Sequence, residues 1–405
     1  MTILNYGFIP ILHTWFGTEN ANITYNISPP YIRNLHEDDR KYCYVGIYNT
    51  QAFDVFPINS LVSGELLDMV RQGDAMLAIE NCGHGYHDVP KHVIEQVVIK
   101  HRISSKQIIL RSESADMLAA VEFWCNKYGI EFFETHWMTA FENMYSWHAK
   151  DVADMVQPNL AKTEKLYLSF NGLFRVHRAG ILLLLHERNL LDIGAISYAT
   201  KPTVPSGEET ISSLLWNFDQ DPEFAATIDR NRAWIRDLQP IYLDKDQSRL
   251  SPQVHVNEEF LDTNHLYRQT LFSLVTETSF PYGPRDRYND TQCIMSPGRI
   301  LSEKIFKPIL HKHPFVLVSN PHTLPLLHRR GYQTFHPYID ESYDTQEDNA
   351  RRLCMIADEI KRLSMLTDEE LSEWQSNVNE ICEHNFTTLA NSQDWYMPLP
   401  FDQSP

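Results

Sequence analysis

Short apolar runs alternate with helical stretches along the first half of the chain. The runs are strand-like in length and composition, whereas residues 114–128 carry apolar positions at helical spacing. Strands that alternate with helices favour a mainly parallel sheet. The predicted strands are residues 7–12, 44–48, 75–79 and 107–110.

The pattern breaks at residues 157–160. It restarts with a strand at 165–170, which leads into Asn171-Gly172 and a long helix ending near Leu185. A second series of strands and helices follows, so we place a domain boundary at the break. The later predicted elements are strands at 271–275, 314–318 and 332–335 and helices at 302–310, 324–330 and 347–363.

These elements predict an α/β protein of two Rossmann-like domains with a cleft between them. The first domain spans residues 1–158 and the second spans 159–390. A tail at 391–405 is rich in proline and aromatic residues. We expect this tail to pack back on the first domain, and we expect the charges of the helix at 347–363 to face solvent.

Composition limits the class of protein. Apolar residues make up 43% of the chain and charged residues 22%, both ordinary globular values. No run approaches the ~20 apolar residues that a membrane span needs, and the first residues lack the pattern of a signal peptide. Six scattered cysteines without a C-x-x-C pair fit a reducing compartment. We therefore predict a cytoplasmic protein without a membrane partner.

The net charge of -18 argues against a surface built mainly to bind polyanions. One region differs, because basic residues outnumber acidic ones between residues 281 and 335. A small positive region in an acidic protein favours a small anionic ligand. Its basic residues are Arg285, Arg287, Arg299, Lys304, Lys307, Lys312, Arg329 and Arg330.

Ser302-Glu303-Lys304 opens the predicted helix at 302–310. A serine N-cap leaves backbone N–H groups in the first turn, where the helix dipole favours an anion. Glu303 is suited to paired ribose hydroxyls and Lys304 to a diphosphate. The alternative is an ordinary amphipathic helix with an ion pair between Glu303 and Lys307.

Several ordered blocks of the second half resemble GT-B-type glycosyltransferase-like proteins of bacteriophages and large viruses. A more distant resemblance is to the nucleotide-sugar motif of α-1,3-fucosyltransferases. The shared pattern is a strand ending in Thr276-Glu277-Thr278, a Ser-Glu-Lys-x-x-Lys-Pro helix and a strand beginning His-Pro-Phe. The blocks are residues 271–278, 301–308, 313–315, 331–335 and 339–344.

This resemblance implies a GT-B fold with a nucleotide-sugar site in the second domain. It implies that Glu303 contacts the ribose and that Lys304 contacts the diphosphate, with Ser302 and Lys307 in the same helix. Glu277 and Thr278 would lie at the carboxyl end of a strand, where open α/β sheets bind ligands. A purely structural role is the alternative for both.

The strand-to-helix turn at residues 169–178 contains Asn171, Arg175 and Arg178. In the same viral group this region resembles an Arg-x-x-Arg element that faces the cleft. Arginines three residues apart share a face of a helix and could hold a diphosphate. The alternative is a solvated basic face.

The loop at residues 80–88 follows a predicted strand of the first domain and holds three candidates for a general base. Its glycines allow close approach of the backbone to a ligand. Glu80, His84 and Asp88 can each take a proton from an acceptor hydroxyl, and the choice among them stays open. For His84, a packing role is the alternative.

No metal site and no cofactor are predicted. Asp219-Gln220-Asp221 and Asp244-Lys245-Asp246 have the D-x-D form of metal-dependent glycosyltransferases, but neither follows a convincing strand, and we interpret both as loop acids. The chain lacks the G-x-G-x-x-G, Walker A, H-E-x-x-H and G-x-S-x-G patterns.

The favoured function is transfer of a sugar from a nucleoside-diphosphate sugar to an acceptor hydroxyl. The acceptor is a glycan, a small molecule or a hydroxymethylated pyrimidine of phage DNA, which would place the protein in the cytoplasm of a host cell. The alternative is a non-catalytic nucleotide-binding or scaffold protein that retains the fold.

Overall fold

The structure is a computed structural model that describes ten parts of the chain. All structural statements below concern these parts. They are residues 3–8, 42–47, 64–81, 89–153, 155–156, 163–199, 205–243, 264–281, 298–392 and 396–398.

The chain divides into two compact units. The expected boundary at residues 158 and 159 lies outside the described residues and stays a prediction. Unit 1 consists of Met1–Ala140, Asp290–Ile300 and Gln393–Pro405, and unit 2 consists of Phe141–Asn289 and Leu301–Ser392.

Unit 1 contains a sheet whose strands follow the order β1-β2-β3-β4-β5-β10. The first five strands pair in parallel, and β10 pairs antiparallel with β5. The strands are β1 (Ile3–Phe8), β2 (Tyr42–Ile47), β3 (Met76–Asn81), β4 (Ile108–Ser112), β5 (Glu134–Met138) and β10 (Tyr396–Pro398).

The described helices of unit 1 pack on one face of this sheet. Parallel strands in consecutive order require crossovers in one direction, and right-handed crossovers then place the helices on the same side. Leu77 and Ile79 of β3 and Leu110 of β4 join the helices in one buried apolar cluster. The helices are α1 (Gly64–Gln72), α2 (Val89–Val93) with a π-helical continuation (Ile94–Ile99), and α3 (Met117–Tyr128).

Unit 2 contains a fully parallel sheet of four described strands in the order β7-β6-β8-β9. The strand order reverses between β6 and β8, and such a reversal opens a crevice at the carboxyl edge of a sheet. The strands are β6 (Lys165–Asn171), β7 (Gly194–Tyr198), β8 (Thr270–Thr276) and β9 (Phe315–Val318).

Several helices of unit 2 begin at side-chain caps. Ser206 and Thr367 each form a capping box with a glutamate three residues later, which satisfies two backbone donors at once. The helices are α4 (Ala140–Val152), α5 (Val176–Glu187), α6 (Gly207–Phe218), α7 (Pro222–Arg230), α8 (Arg232–Asp237), α9 (Glu303–Leu310), α10 (Leu324–Arg329), α11 (Asn349–Leu363) and α12 (Asp368–Asn391).

Residues 332–335, predicted as a strand, are not a strand. The backbone of Gln333 bonds to the side chain of Asn385 on both its N–H and its C=O, and the N–H of Phe335 donates to Glu341. Side chains therefore satisfy the backbone groups that a strand would offer to its neighbour.

The charges of α11 do not all face solvent, so that prediction is wrong for two residues. Arg352 and Glu359 are buried at 1% and 5% exposure. Arg352 donates to the carbonyl oxygens of Ser319 and Gln346 and to the side chain of Asn349. It thereby attaches α11 to the segment that follows β9.

The predicted α/β class is confirmed, because in each unit helices alternate along the chain with the strands of a mainly parallel sheet. Within the described residues, none of the helices combines the length and the apolar character needed to cross a bilayer. Cys125, Cys354 and Cys382 are free and buried.

Candidate functional site

The predicted start of α9 is confirmed. Ser302 has an extended backbone, and its Oγ accepts from the backbone N–H of Lys304 at 3.3 Å. The Nζ of Lys304 donates to Thr278 Oγ1 at 2.6 Å and pairs with the carboxylate of Glu303. The end of β8 and the first turn of α9 therefore meet at one ammonium group.

Glu303 is ionised at neutral pH. Burial acts to raise the pKa of this carboxyl, but the charges of Lys304 and Lys307 outweigh burial and lower it to about 2. About a quarter of each side chain of the Glu303–Lys304 pair is exposed. One carboxylate and one ammonium group are thus accessible together, which suits paired hydroxyls beside an anion.

Glu277 is fully buried, at 0% exposure. Its Oε1 accepts from the N–H of Ser302 at 3.2 Å, and its Oε2 accepts from the N–H of Thr278 at 3.1 Å and from Ser302 Oγ. Burial raises the pKa of this carboxyl, although Lys304 and the Ser302 hydrogen bonds act in the opposite direction. Glu277 thus bonds to the protein itself, next to the accessible pair.

Asn171 lies at the point where the strand order reverses. Its Oδ1 accepts from Thr276 Oγ1 at 2.6 Å, and its Nδ2 donates to Ser169 Oγ at 2.9 Å. Ser169 Oγ in turn donates to the carbonyl oxygen of Leu274. These bonds join the carboxyl ends of β6 and β8, and Asn171 is only 3% exposed.

Arg175 and Arg178 do not share a helical face. Arg175 is the N-cap of α5, with an extended backbone and no capping bond from its side chain. Arg178 is buried and donates to the carbonyl oxygens of Leu173 and Thr276. The two arginines therefore have different environments. Arg175 is half-buried at the edge of the sheet, and Arg178 is buried in the interior of unit 2.

Sequence reasoning missed a stack of buried side chains behind this edge. The ring of His177 stacks on Phe280 at 4.7 Å, and the guanidinium of Arg352 lies 4.8 Å from the same ring. His177 Nε2 bonds to the carbonyl oxygen of Glu277 at 2.9 Å, so that nitrogen carries the proton. Burial, followed by the charge of Arg178, lowers the pKa of His177 well below its usual value, so the ring is neutral.

Within the described residues, four of the basic side chains predicted to form a positive region between residues 281 and 335 pair with carboxylates. Lys304 pairs with Glu303, and Lys312 pairs with Glu383. Two further arginines, Arg299 and Arg330, each bind a carboxylate in their own unit, Asp116 in unit 1 and Glu142 in unit 2. Arg285 and Arg287 lie outside the described residues.

Two of the three base candidates of unit 1, His84 and Asp88, lie outside the described residues. Glu80 is within β3, in register with Arg111 of β4, which is in register with His136 of β5. Arg111 is fully buried, and His136 Nε2 bonds to Glu134 at 2.6 Å. This register between the strands was not evident from the sequence.

Asp219 and Asp221 lie between two consecutive helices, α6 and α7. Asp219 is the C-cap of α6, and Asp221 is the N-cap of α7, where its side chain accepts from the N–H of Phe224 at 2.7 Å. These positions agree with the interpretation as loop acids. Asp244 and Asp246 lie outside the described residues.

The chain matches no protein-family model, and no curated protein matches it significantly. Two solved structures resemble it with a TM-score of 0.38 each. One is the N-terminal domain of trehalose-6-phosphate phosphatase from Candida albicans, with 11% identity over 88% of this chain and 70% of that chain.

The other is a UDP-forming α,α-trehalose-phosphate synthase from Burkholderia xenovorans. Its identity is 12%, over 87% of this chain and 72% of that chain. At this level of similarity, neither structure supports a statement about the activity or the substrate of this chain.

Proposed function

We propose that this protein is a glycosyltransferase of GT-B type, which transfers a sugar from a nucleoside-diphosphate sugar to an acceptor hydroxyl. The observation that carries the proposal is the accessible Glu303–Lys304 pair in the first turn of α9, with the Lys304 ammonium bonded to Thr278 at the end of β8. An anion-binding helix start beside a carboxylate matches the two polar parts of a nucleoside diphosphate.

The surroundings of the pair support the same ligand. The pair adjoins the carboxyl end of β8, which lies next to the reversal of strand order between β6 and β8. Open α/β sheets bind ligands at this position. Arg175, at the half-buried start of α5, would add a second positive charge at the same edge.

The chemistry assigned to these groups is electrostatic. As the bond between the sugar carbon and the diphosphate oxygen breaks, negative charge grows on the leaving diphosphate, and Lys304 and the N–H groups of α9 would stabilise it. A new bond forms between the acceptor oxygen and the sugar carbon, and a general base takes the hydroxyl proton. Glu80, His84 and Asp88 remain the candidates for that base.

Thermal shift with a panel of UDP, GDP, ADP, CDP and TDP sugars tests the proposal, followed by mass analysis of the products. We expect one donor to raise the melting temperature, and we expect Lys304→Ala to weaken nucleotide binding, reduce this shift and abolish sugar transfer. Unchanged nucleotide affinity in Lys304→Ala would refute the site assignment. Binding without transfer to any acceptor or to water would favour the non-catalytic alternative.

The acceptor class can be separated by salt dependence. Steep loss of DNA binding between low and physiological salt would support modified DNA as the acceptor, because phosphate contacts release counterions. If DNA does not bind, a glycan or small molecule is favoured.

A further inference from the structure

Glu277 is connected to Lys304 by two separate chains of hydrogen bonds. In the first chain, Ser302 Oγ donates to Glu277 and accepts from the backbone N–H of Lys304. In the second chain, the N–H of Thr278 donates to Glu277, and Thr278 Oγ1 accepts from Lys304 Nζ. One chain ends at the backbone of Lys304 and the other at its ammonium group.

The carboxylate of Glu277 is shielded from any ligand that binds at the surface of the site. It is 0% exposed, and its oxygens receive three donors, namely the N–H of Ser302, the hydroxyl of Ser302 and the N–H of Thr278. An ionised carboxylate only accepts hydrogen bonds, so three donors suit it.

The backbone of Glu277 is also held in place. Its N–H donates to the carbonyl oxygen of Val318 in β9, and its carbonyl oxygen bonds to His177 Nε2 at the start of α5. The side chain therefore extends from a point fixed by two other elements of unit 2. A group held in this way can transmit a fixed position to its partners.

We propose that Glu277 is a positioning residue, which places Lys304 and the first turn of α9 for a nucleoside diphosphate without touching that ligand. This inference rests on the proposed function. It adds that Lys304 contacts the ligand, whereas Glu277 holds Lys304 in position. A glutamine at position 277 would keep the size but direct an amide N–H₂ at one of the three donors.

A double-mutant cycle in calorimetric binding of UDP and GDP tests this role. We expect Glu277→Gln to lower the affinity for the tighter-binding nucleotide by about tenfold. In the Lys304→Ala background, Glu277→Gln should cause no further loss of affinity. Equal losses in both backgrounds would overturn the proposal, because Glu277 would then act on the fold in general.

Glu341→Gln is the matched control. Like Glu277, the partly buried carboxyl of Glu341 accepts from backbone N–H groups and from a hydroxyl, among them the N–H of Phe335 and the hydroxyl of Thr334, both at 2.7 Å. This variant should lower the melting temperature while keeping the affinity for the nucleotide. Ser302→Ala and Thr278→Val interrupt one chain each, and each should retain more affinity than Glu277→Gln.

Hydrogen exchange of backbone amides separates the failure of this inference from failure of the proposed function. In Glu277→Gln without ligand, the amides of Ser302, Thr278 and Lys304 should exchange faster, while those of β6 stay unchanged. If the wild-type protein binds none of UDP, GDP, ADP, CDP and TDP, the proposed site fails but faster exchange still supports the positioning role. Unchanged exchange at these three amides overturns it.

Discussion

Tyr332 donates its hydroxyl to the carboxylate of Glu142 at 2.8 Å, although the two residues are 190 positions apart in the sequence. Arg330 binds the second oxygen of the same carboxylate at 2.8 Å. Glu142 and Tyr332 are nearly fully buried, at 1% and 2% exposure. This carboxylate therefore attaches α4 to the segment that follows α10.

Replacement of Glu142 by alanine should destabilise unit 2 strongly. The change removes a carboxylate that a buried arginine and a buried tyrosine share, and loss of one partner of a buried ion pair costs about 3 kcal/mol or more. Urea unfolding measures the effect. Glu383→Ala is the control, because its pair with Lys312 has 43% exposure on the glutamate side, and exposed pairs contribute about 1 kcal/mol or less. Similar losses in both variants would contradict the prediction.

Asp344 should make the protein less stable as pH rises from about 4 to about 6. Burial raises the pKa of this carboxyl from 3.8 to about 6, although the N–H groups of Thr323 and Leu324 and the charges of His322 and Arg352 act to lower it. Between these values the folded protein binds more protons than the unfolded chain, so the free energy of unfolding falls with rising pH.

Asp344→Asn should remove this slope. The free energy of unfolding of the wild type minus that of the variant should fall by about 2 kcal/mol between pH 4 and pH 7, because a shift of about two pKa units acts mostly within this range. Urea titrations of both proteins over this range measure the difference. A difference that stays constant, or that grows with pH, would show that Asp344 is not a buried acid of this kind.

Arg175 and Arg178 should respond differently to substitution. Arg178 donates to two backbone carbonyl oxygens inside unit 2, so Arg178→Ala should cost about 2 kcal/mol of stability. Arg175 has no capping bond and is half-buried, so Arg175→Ala should keep the melting temperature and weaken nucleoside-diphosphate binding about tenfold. Calorimetry and thermal unfolding of both variants decide. If both variants bind the nucleoside diphosphate as tightly as the wild type, Arg175 does not belong to the site.

Local patterns predicted much of the parallel sheets and the start of α9. The apolar runs that became β3, β4, β6, β8 and β9 are short and continuous, as buried parallel strands are, and Ser302 occupies a position where serine is a favoured cap. The strand at residues 332–335 failed because its backbone partners, Asn385 and Glu341, belong to other segments. Local periodicity contains no information about such partners.

The sequence indicated where the candidate site lies, but not which of its side chains contact each other. The spacing of Thr278 and Lys304 does not disclose that their side chains meet, since the two residues are 26 positions apart in the sequence. For the same reason, the sequence did not separate Arg178, which is buried, from Arg175, which is not. Register between strands was equally hidden, and it places Glu80 beside Arg111.

The contact between Lys304 and Glu303 has a consequence for any anion that binds at α9. The ammonium group already has a carboxylate partner within its own helix turn, so a phosphate must compete with that partner. A bound phosphate then replaces the carboxylate of Glu303 as the partner of the ammonium group, and few salt ions are displaced from Lys304. Affinity for a diphosphate should accordingly depend less on salt than the formal charge of the lysine alone would require.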